Sequence, residues 1–325
     1  MNQSYNFDYI LEVINSEIKK ITFPYRPQSL FDPITYILSI GGKRVRPALA
    51  LISYNLYKND IEKALPIALG IEMFHNFTLL HDDLMDRADV RRGQPTVHIK
   101  WNDNAAVLSG DAMLIEAYKE ISKIESPYLP QILDNFSKMA TEICCGQQLD
   151  MEFEQRSDVT IPEYLEMIEL KTAVLLGCAL KEGAILADAS QSDIDNLYDF
   201  GINIGLAFQL KDDLLDVYGD PATFGKKIGG DILCNKKTFL LISALAEESA
   251  RQELNQWIEK KDFDAEQKIK AVTEIYNKLN IKQKSEELIK DYYNNAIRNL
   301  EKIEVPEPRK HILYNLAEYL ITRNL

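Results

Sequence analysis

The chain has 325 residues, 46% hydrophobic and 27% charged, which is enough apolar material for a large core and too much for wholesale disorder. With 50 Asp and Glu against 37 Lys and Arg, its net charge of −13 repels nucleic-acid backbones except at local basic patches. The cysteines, Cys144, Cys145, Cys178 and Cys234, form no CxxC, and neither a secretory leader nor a run of about 18 apolar residues is present, so a reduced, cytoplasmic protein without a membrane span is expected.

Phe7, Ile10, Leu11, Ile14, Ile18 and Ile21 recur at helical spacing, and residues 6–21 read as a first amphipathic helix. A Pro-bearing stretch, 24–33, follows it. Gly41 and Gly42 interrupt the pattern, and Pro47 suits the first turn of a new helix. Further helices are predicted at 47–58, 61–86, 103–124, 128–155, 162–187, 192–218, 237–258, 265–279, 281–302 and 307–323. Pro66, Pro127, Pro130, Pro162, Pro221, Pro306 and Pro308 fall near starts or between segments, as breakers do. Alternating β patterns are absent, so the fold class is all-α. No composition shift marks a linker and no repeat stands out, so residues 1–325 are expected to form a single helical domain.

One short motif does recur: HDDLMD at 81–86 and KDDLLD at 211–216. Asp82 and Asp86 stand one helical turn apart on one face, as do Asp212 and Asp216, and each pair has a third carboxylate beside it, Asp83 and Asp213. Like charges at this spacing cost an isolated helix roughly 0.2–0.5 kcal/mol, more in apolar surroundings, and cations relieve the repulsion. Oxygen-only ligands select hard ions, Mg²⁺ before zinc, and Mg²⁺ commonly bridges a few carboxylates to substrate phosphates. A single DDxxD is as easily a solvated helix end; two, each in an apolar helix and each followed by basic residues, point to a metal-phosphate site.

The basic residues complete the pattern. Lys43 and Arg46 follow two glycines in GGKRVRP (41–47), where flexible backbone and cations opening a helix suit a phosphate. Arg91 and Arg92 follow the first acidic motif, and an arginine fork binds phosphate oxygens bidentately. Lys226 and Lys236 follow the second motif, in GKKIGGD (225–231) and NKKT (235–238). Each alone reads more often as solvated surface; together they form an acid-then-base arrangement repeated twice. His75 lies two turns before Asp82 on the same face, either a buried ring or a phosphate contact, and the four histidines have no zinc-like spacing.

Together with GQQLD (146–150), LKTA (170–173) and FQLKDDLLD (208–216), these motifs match in order and spacing those of the trans-isoprenyl diphosphate synthases, which the chain resembles from about residue 30 to 240. The resemblance implies an all-α bundle of the isoprenoid synthase type with a deep central cavity, a homodimer, and three Mg²⁺ ions per active site. The substrates it implies are isopentenyl diphosphate and an allylic diphosphate (dimethylallyl, geranyl or farnesyl). By resemblance Lys43, Arg46, His75 and Arg92 hold isopentenyl diphosphate. Arg91, Lys171, Thr172, Gln209, Lys226 and Lys236 surround the allylic substrate. Asp82, Asp86, Asp150 and Asp212 contact metal, with Asp83, Asp216 and Asp231 as supporting carboxylates. The extra Lys227 leaves open which lysine of that segment faces phosphate; Lys226 is preferred. Asp82, Asp86, Arg91, Lys171, Asp212 and Lys226 are thereby the residues expected at the breaking bond.

Product length should depend on residues below the first motif. Phe74 and Thr78 lie two turns and one turn before Asp82, on its side of the helix, whereas Phe77 is about 7.5 Å back and rotated by about 140°. In the family an aromatic at the position of Phe77 limits the chain, and Phe77-Thr78 without an insertion in DDLMD resembles the geranylgeranyl-producing members; farnesyl diphosphate is the close alternative. A class I terpene cyclase would share the fold and DDxxD but needs no isopentenyl site, so GGKRVRP and KDDLLD count against it. An HD phosphohydrolase built on His81-Asp82 leaves the second acidic motif unexplained. A non-catalytic partner subunit would tend to lose acidic motifs that are intact here.

Overall fold

The computed structural model describes residues 5–220 and 228–322. Helices dominate it, as the periodicity implies, and the β structure among the described residues is one small antiparallel hairpin, Val90–Arg91 paired with Gln94–Pro95. In chain order the first helices are α1 (Phe7–Ile18), α2 (Asp32–Ser39), α3 (Val45–Asn55), α4 (Leu65–Met85), α5 (Val97–Lys100) and α6 (Asp103–Ile121). Then come α7 (Leu129–Gln155), α8 (Ile161–Ile168), α9 (Val174–Leu186) and α10 (Gln191–Tyr218). Beyond these lie helices Gly230–Cys234, Phe239–Ala246, Glu248–Glu259, Ala265–Lys278, Ile281–Glu301 and Glu307–Thr322.

These elements cluster into two compact units, each gathered from separated stretches of chain. One runs up to Ser137 and adds Cys178–Leu197 and Glu304–Ile312; the other comprises Lys138–Gly177, Tyr198–Ile303 and the chain from Leu313 on. Neither unit is a contiguous segment, so no linker composition could mark it in the sequence.

In the first unit α4 packs along α6 and α3. It buries Ile67, Ala68, Ile71 and Phe74 together with three polar side chains, Glu72, Asn76 and Asp83. An aromatic row runs Tyr118, Phe136, Phe74, Phe77 with centroids 5.0, 5.3 and 5.4 Å apart, in the tilted and edge-on arrangements that ring quadrupoles favour. The second unit has its own core, in which Tyr164, Leu210, Leu214, Phe239, Leu254, Ile275 and Tyr276 converge.

Three departures from the periodicity matter. The predicted helix 162–187 is interrupted by a π-turn at Glu169–Ala173, where Lys171 and Thr172 sit. The predicted helix 237–258 is two helices meeting at Glu247 (ψ 112°); Arg251 donates to the terminal carbonyls of Leu245 (2.9 Å) and Ala246 (3.4 Å), satisfying groups that a break leaves orphaned. Helices Asp32–Ser39, Val97–Lys100 and Gly230–Cys234 are additional to the predicted set. All three are short, eight, four and five residues, and too brief to show a period.

Candidate active site

In the first unit the double glycine does what its sequence suggests. Gly41 and Gly42 take positive φ (86° and 144°), and the Arg92 guanidinium lies against Gly42 while donating to the Gly41 carbonyl. Arg46 Nη1 is 3.4 Å from His75 Nε2, so three of the four expected isopentenyl contacts, Arg46, His75 and Arg92, gather around one loop, with Lys43 exposed on it. Burial, and then the charges of Arg46, Arg92, Arg91 and Arg44, hold the His75 pKa well below its ordinary value. His75 is therefore neutral at pH 7 and hydrogen-bonds without adding charge.

Arg44, between the two cations singled out in the sequence, is buried and left-handed (φ 49°). Its guanidinium pairs with buried Glu72 and donates to Leu38 O at 2.7 Å; Asn76 Nδ2 donates to the same Glu72 carboxylate at 2.7 Å. Sequence reasoning missed this network. The available signal was a lone acid in an apolar run, LGIEMFHNF, which cannot be buried without a cation.

The first acidic motif divides by direction. Asp83 is buried and receives Arg91 Nε at 2.8 Å and Nη2 at 2.5 Å, while Asp82 is half-buried and Asp86 exposed at the end of α4. Burial raises the Asp83 pKa and the Arg91 pairing offsets part of that rise. Arg91 thus spends part of its fork on Asp83. The three residues expected to set product length also separate: Phe74 is enclosed in the aromatic row, whereas Phe77 and Thr78 are half-buried, Phe77 edge-on to His81 at 4.8 Å.

The second unit repeats the logic. Asp213 is buried and accepts from Tyr164 Oη (2.6 Å) and Gln209 Nε2 (2.9 Å); Gln209 in turn accepts from Thr172 Oγ1 at 3.2 Å. Burial pushes the Asp213 pKa up to about 6 against the pull of Lys236, Tyr164 and Gln209. Asp216 spends a carboxylate oxygen on the backbone N–H of Asp231 (2.9 Å), which makes it a brace for the following helix as well as a motif member. Asp212 is half-buried.

On α7, Gly146 explains why GQQLD belongs to the pattern. A Cβ there would lie 2.3 Å from the Lys171 backbone nitrogen, so α7 meets the π-turn with no room for a side chain. One turn on, Asp150 receives Lys171 Nζ at 2.6 Å. Burial alone would raise the Asp150 pKa, but Lys236 and Lys171 outweigh it and hold the group below its usual range. π-turns recur at functional sites. Tyr164 went unnoticed in the sequence, since a tyrosine in an apolar helix gives no signal of its hydroxyl's partner. Lys226, like Lys227, lies outside the described residues.

Among the described residues no three His, Cys, Asp or Glu side chains are arranged to enclose an ion by themselves. The donors present, carboxylates in two small groups beside cations, suit Mg²⁺, which keeps several waters and takes substrate phosphates as ligands instead of an all-protein cage. Among the described residues no helix is long and apolar enough to cross a membrane.

Known proteins resemble the chain in sequence and in fold. The polyprenyl synthetase family model matches residues 27–276. A geranylgeranyl diphosphate synthase of Methanosarcina mazei is 36% identical over 314 residues, 95% of this chain and 94% of its own. A crystal structure of a geranylgeranyl pyrophosphate synthase superposes with a TM-score of 0.94 at 41% identity, covering 100% of both chains. The geranylgeranyl pyrophosphate synthetase of Pyrococcus horikoshii Ot3 gives 0.91 at 31% identity, over 98% of this chain and 99% of its own. The chain belongs to the polyprenyl synthetase family.

Proposed function

We propose that the protein is a Mg²⁺-dependent prenyltransferase that condenses an allylic diphosphate with isopentenyl diphosphate, releases diphosphate, and yields the twenty-carbon geranylgeranyl diphosphate. The observation that carries this reading is the shared construction of the two aspartate motifs. In each the middle carboxylate is tied inward, Asp83 by Arg91 and Asp213 by Tyr164 and Gln209, which fixes the helix that presents its neighbours.

Lys43, Arg46, Arg92 and His75 bind the diphosphate of isopentenyl diphosphate and orient its double bond. Asp82, Asp86, Asp150 and Asp212 hold up to three Mg²⁺, with Asp83, Asp216 and Asp231 in support. Bound Mg²⁺ supplies Lewis-acid neutralisation of the departing diphosphate. Arg91, Lys171, Lys226 and Lys236 add fixed positive charge where the C–O bond ionises, an electrostatic contribution that requires no reorganisation. Thr172, Gln209 and the Lys171 carbonyl face the allylic cation, aligned for attack by the double bond. The released diphosphate takes the final proton. Phe77, with Phe74 behind it and Thr78 beside it, limits the tail.

The protein is proposed to work in the cytoplasm as a homodimer. In support, α6 carries Leu108 and Ile115 two turns apart, 59% and 60% exposed, an apolar stripe that a second copy would cover. Light scattering that reports a monomer would remove the dimer.

The purified chain, given Mg²⁺ and both substrates, should release diphosphate and make a twenty-carbon prenyl chain, and EDTA should stop it. Diphosphate release from the allylic substrate alone would indicate a cyclase, and inactivity of the chain alone a partner subunit.

A further inference from the structure

Helix Ala265–Lys278 lies beyond the motif-bearing sequence, yet it carries a lysine, Lys268, that is 1% exposed. An ammonium group is costly to bury unless its donors are used. Lys268 Nζ donates to Asn235 Oδ1 at 2.7 Å and to Leu233 O at 3.3 Å, and lies 4.3 Å from the Phe263 ring centroid. Both oxygen acceptors belong to the end of helix Gly230–Cys234. The Leu233 carbonyl is in its last turn, where a cation is favoured. Asn235 closes the helix in the left-handed conformation (φ 56°) and also donates from Nδ2 to Ile258 O at 3.3 Å. The next residue is Lys236, whose N–H returns to Asp231 O at 2.9 Å.

The same helix braces the other end of this segment. Gly229 has φ 85°, and a Cβ on it would lie 2.6 Å from Ile269 Cδ1, so Ile269 fills the space beside the turn. Adjacent residues of one helix, Lys268 and Ile269, therefore grip a five-residue helix at its exit and its entrance. That helix carries Asp231 and leads directly into Lys236.

We propose that Lys268 is a positioning residue for substrate binding: by anchoring Leu233 and Asn235 it fixes Lys236 for contact with the allylic diphosphate. The proposal rests on the reading above that Lys236 meets that diphosphate.

The test is two-substrate steady-state kinetics on the full chain with Mg²⁺, farnesyl diphosphate and isopentenyl diphosphate, alongside thermal melts. Losing a charge-assisted hydrogen bond at this anchor should raise KM for farnesyl diphosphate about tenfold in Lys268→Met, with KM for isopentenyl diphosphate within about twofold of the parent. Lys268→Arg, which keeps charge and donors, should recover most of the loss. Asn235→Gly keeps the left-handed turn but removes the acceptor, and it should raise the same KM without burying a new charge; it serves also if Lys268→Met fails to fold. Lys236→Gln should raise this KM at least as much, and adding Lys268→Met to it should change little. A folded Lys268→Met or Asn235→Gly with parental KM for farnesyl diphosphate, alongside an impaired Lys236→Gln, overturns the positioning role. Equal increases for both substrates overturn it too. An unimpaired Lys236→Gln instead refutes the underlying assignment of Lys236.

Discussion

Replacing Arg44 by methionine tests how the isopentenyl loop is held. The Arg44 and Glu72 side chains are 2% and 3% exposed, so the pair is cut off from water. In Arg44→Met the Glu72 carboxylate keeps, among the described residues, Asn76 as its one side-chain hydrogen-bond partner, and Leu38 O loses its donor at 2.7 Å. Removing one partner of a buried pair costs about 3–5 kcal/mol, most of it the stranded charge, whereas replacing both partners by apolar groups is often close to neutral. Equilibrium urea unfolding followed by circular dichroism should show that loss in Arg44→Met and its recovery, to within about 1 kcal/mol of the parent, in Arg44→Met/Glu72→Leu. Kinetics separates the second role. Arg44 sits between Lys43 and Arg46, so the double variant should regain stability yet keep a raised KM for isopentenyl diphosphate. A loss below about 1 kcal/mol in the single variant, or no recovery in the double, would refute the account of a stranded Glu72 charge.

Three further outcomes are expected. Asp82→Ala should abolish turnover in a diphosphate-release assay with little change in melting temperature, because it removes a charge that repels Asp86 one turn away; marked unfolding would indicate a structural role. Phe77→Ser should lengthen the product seen by chromatography of labelled chains, since Phe77 is half-buried where the aromatic row meets His81; an unchanged length removes Phe77 from the account. Glu182 is buried with Cys178 Sγ 3.2 Å away, and burial pushes its pKa up from 4.5 to about 8. Between those values the unfolded chain binds fewer protons than the native one, so stability falls as pH rises. Glu182→Gln should flatten that slope and gain on the order of a few kcal/mol over the parent at pH 8, with no gain below pH 4.5. Parallel urea midpoints for the two proteins from pH 5 to 8 would contradict it.

Some of the molecule was written locally. The 3.6-residue period of Phe7, Ile10, Ile14 and Ile18 specifies α1 without reference to anything distant, and so does the apolar run of α4. The aspartate motifs were legible because repeated like charges one turn apart are costly and rare without a counter-ion, and the paired glycines before Lys43 because positive φ is cheap only for glycine. What periodicity could not show is how one helix answers another. The π-turn at Glu169–Ala173 lies in sequence that is helical by any local measure; its place is tied to α7, whose Gly146 backbone approaches it as no side-chain-bearing residue could.

The sequence by itself determined the helical class, the two acidic motifs and the basic residues that accompany them, since each depends on neighbours within a turn or two. Tertiary structure alone decided which carboxylate of each motif turns inward, that Arg44 needs Glu72, and that Lys268 reaches back to Asn235. Those outcomes depend on partners 8, 28 and 33 residues away, brought together by burial that has no signature along the chain. A buried charge must find its partner wherever the packing places it.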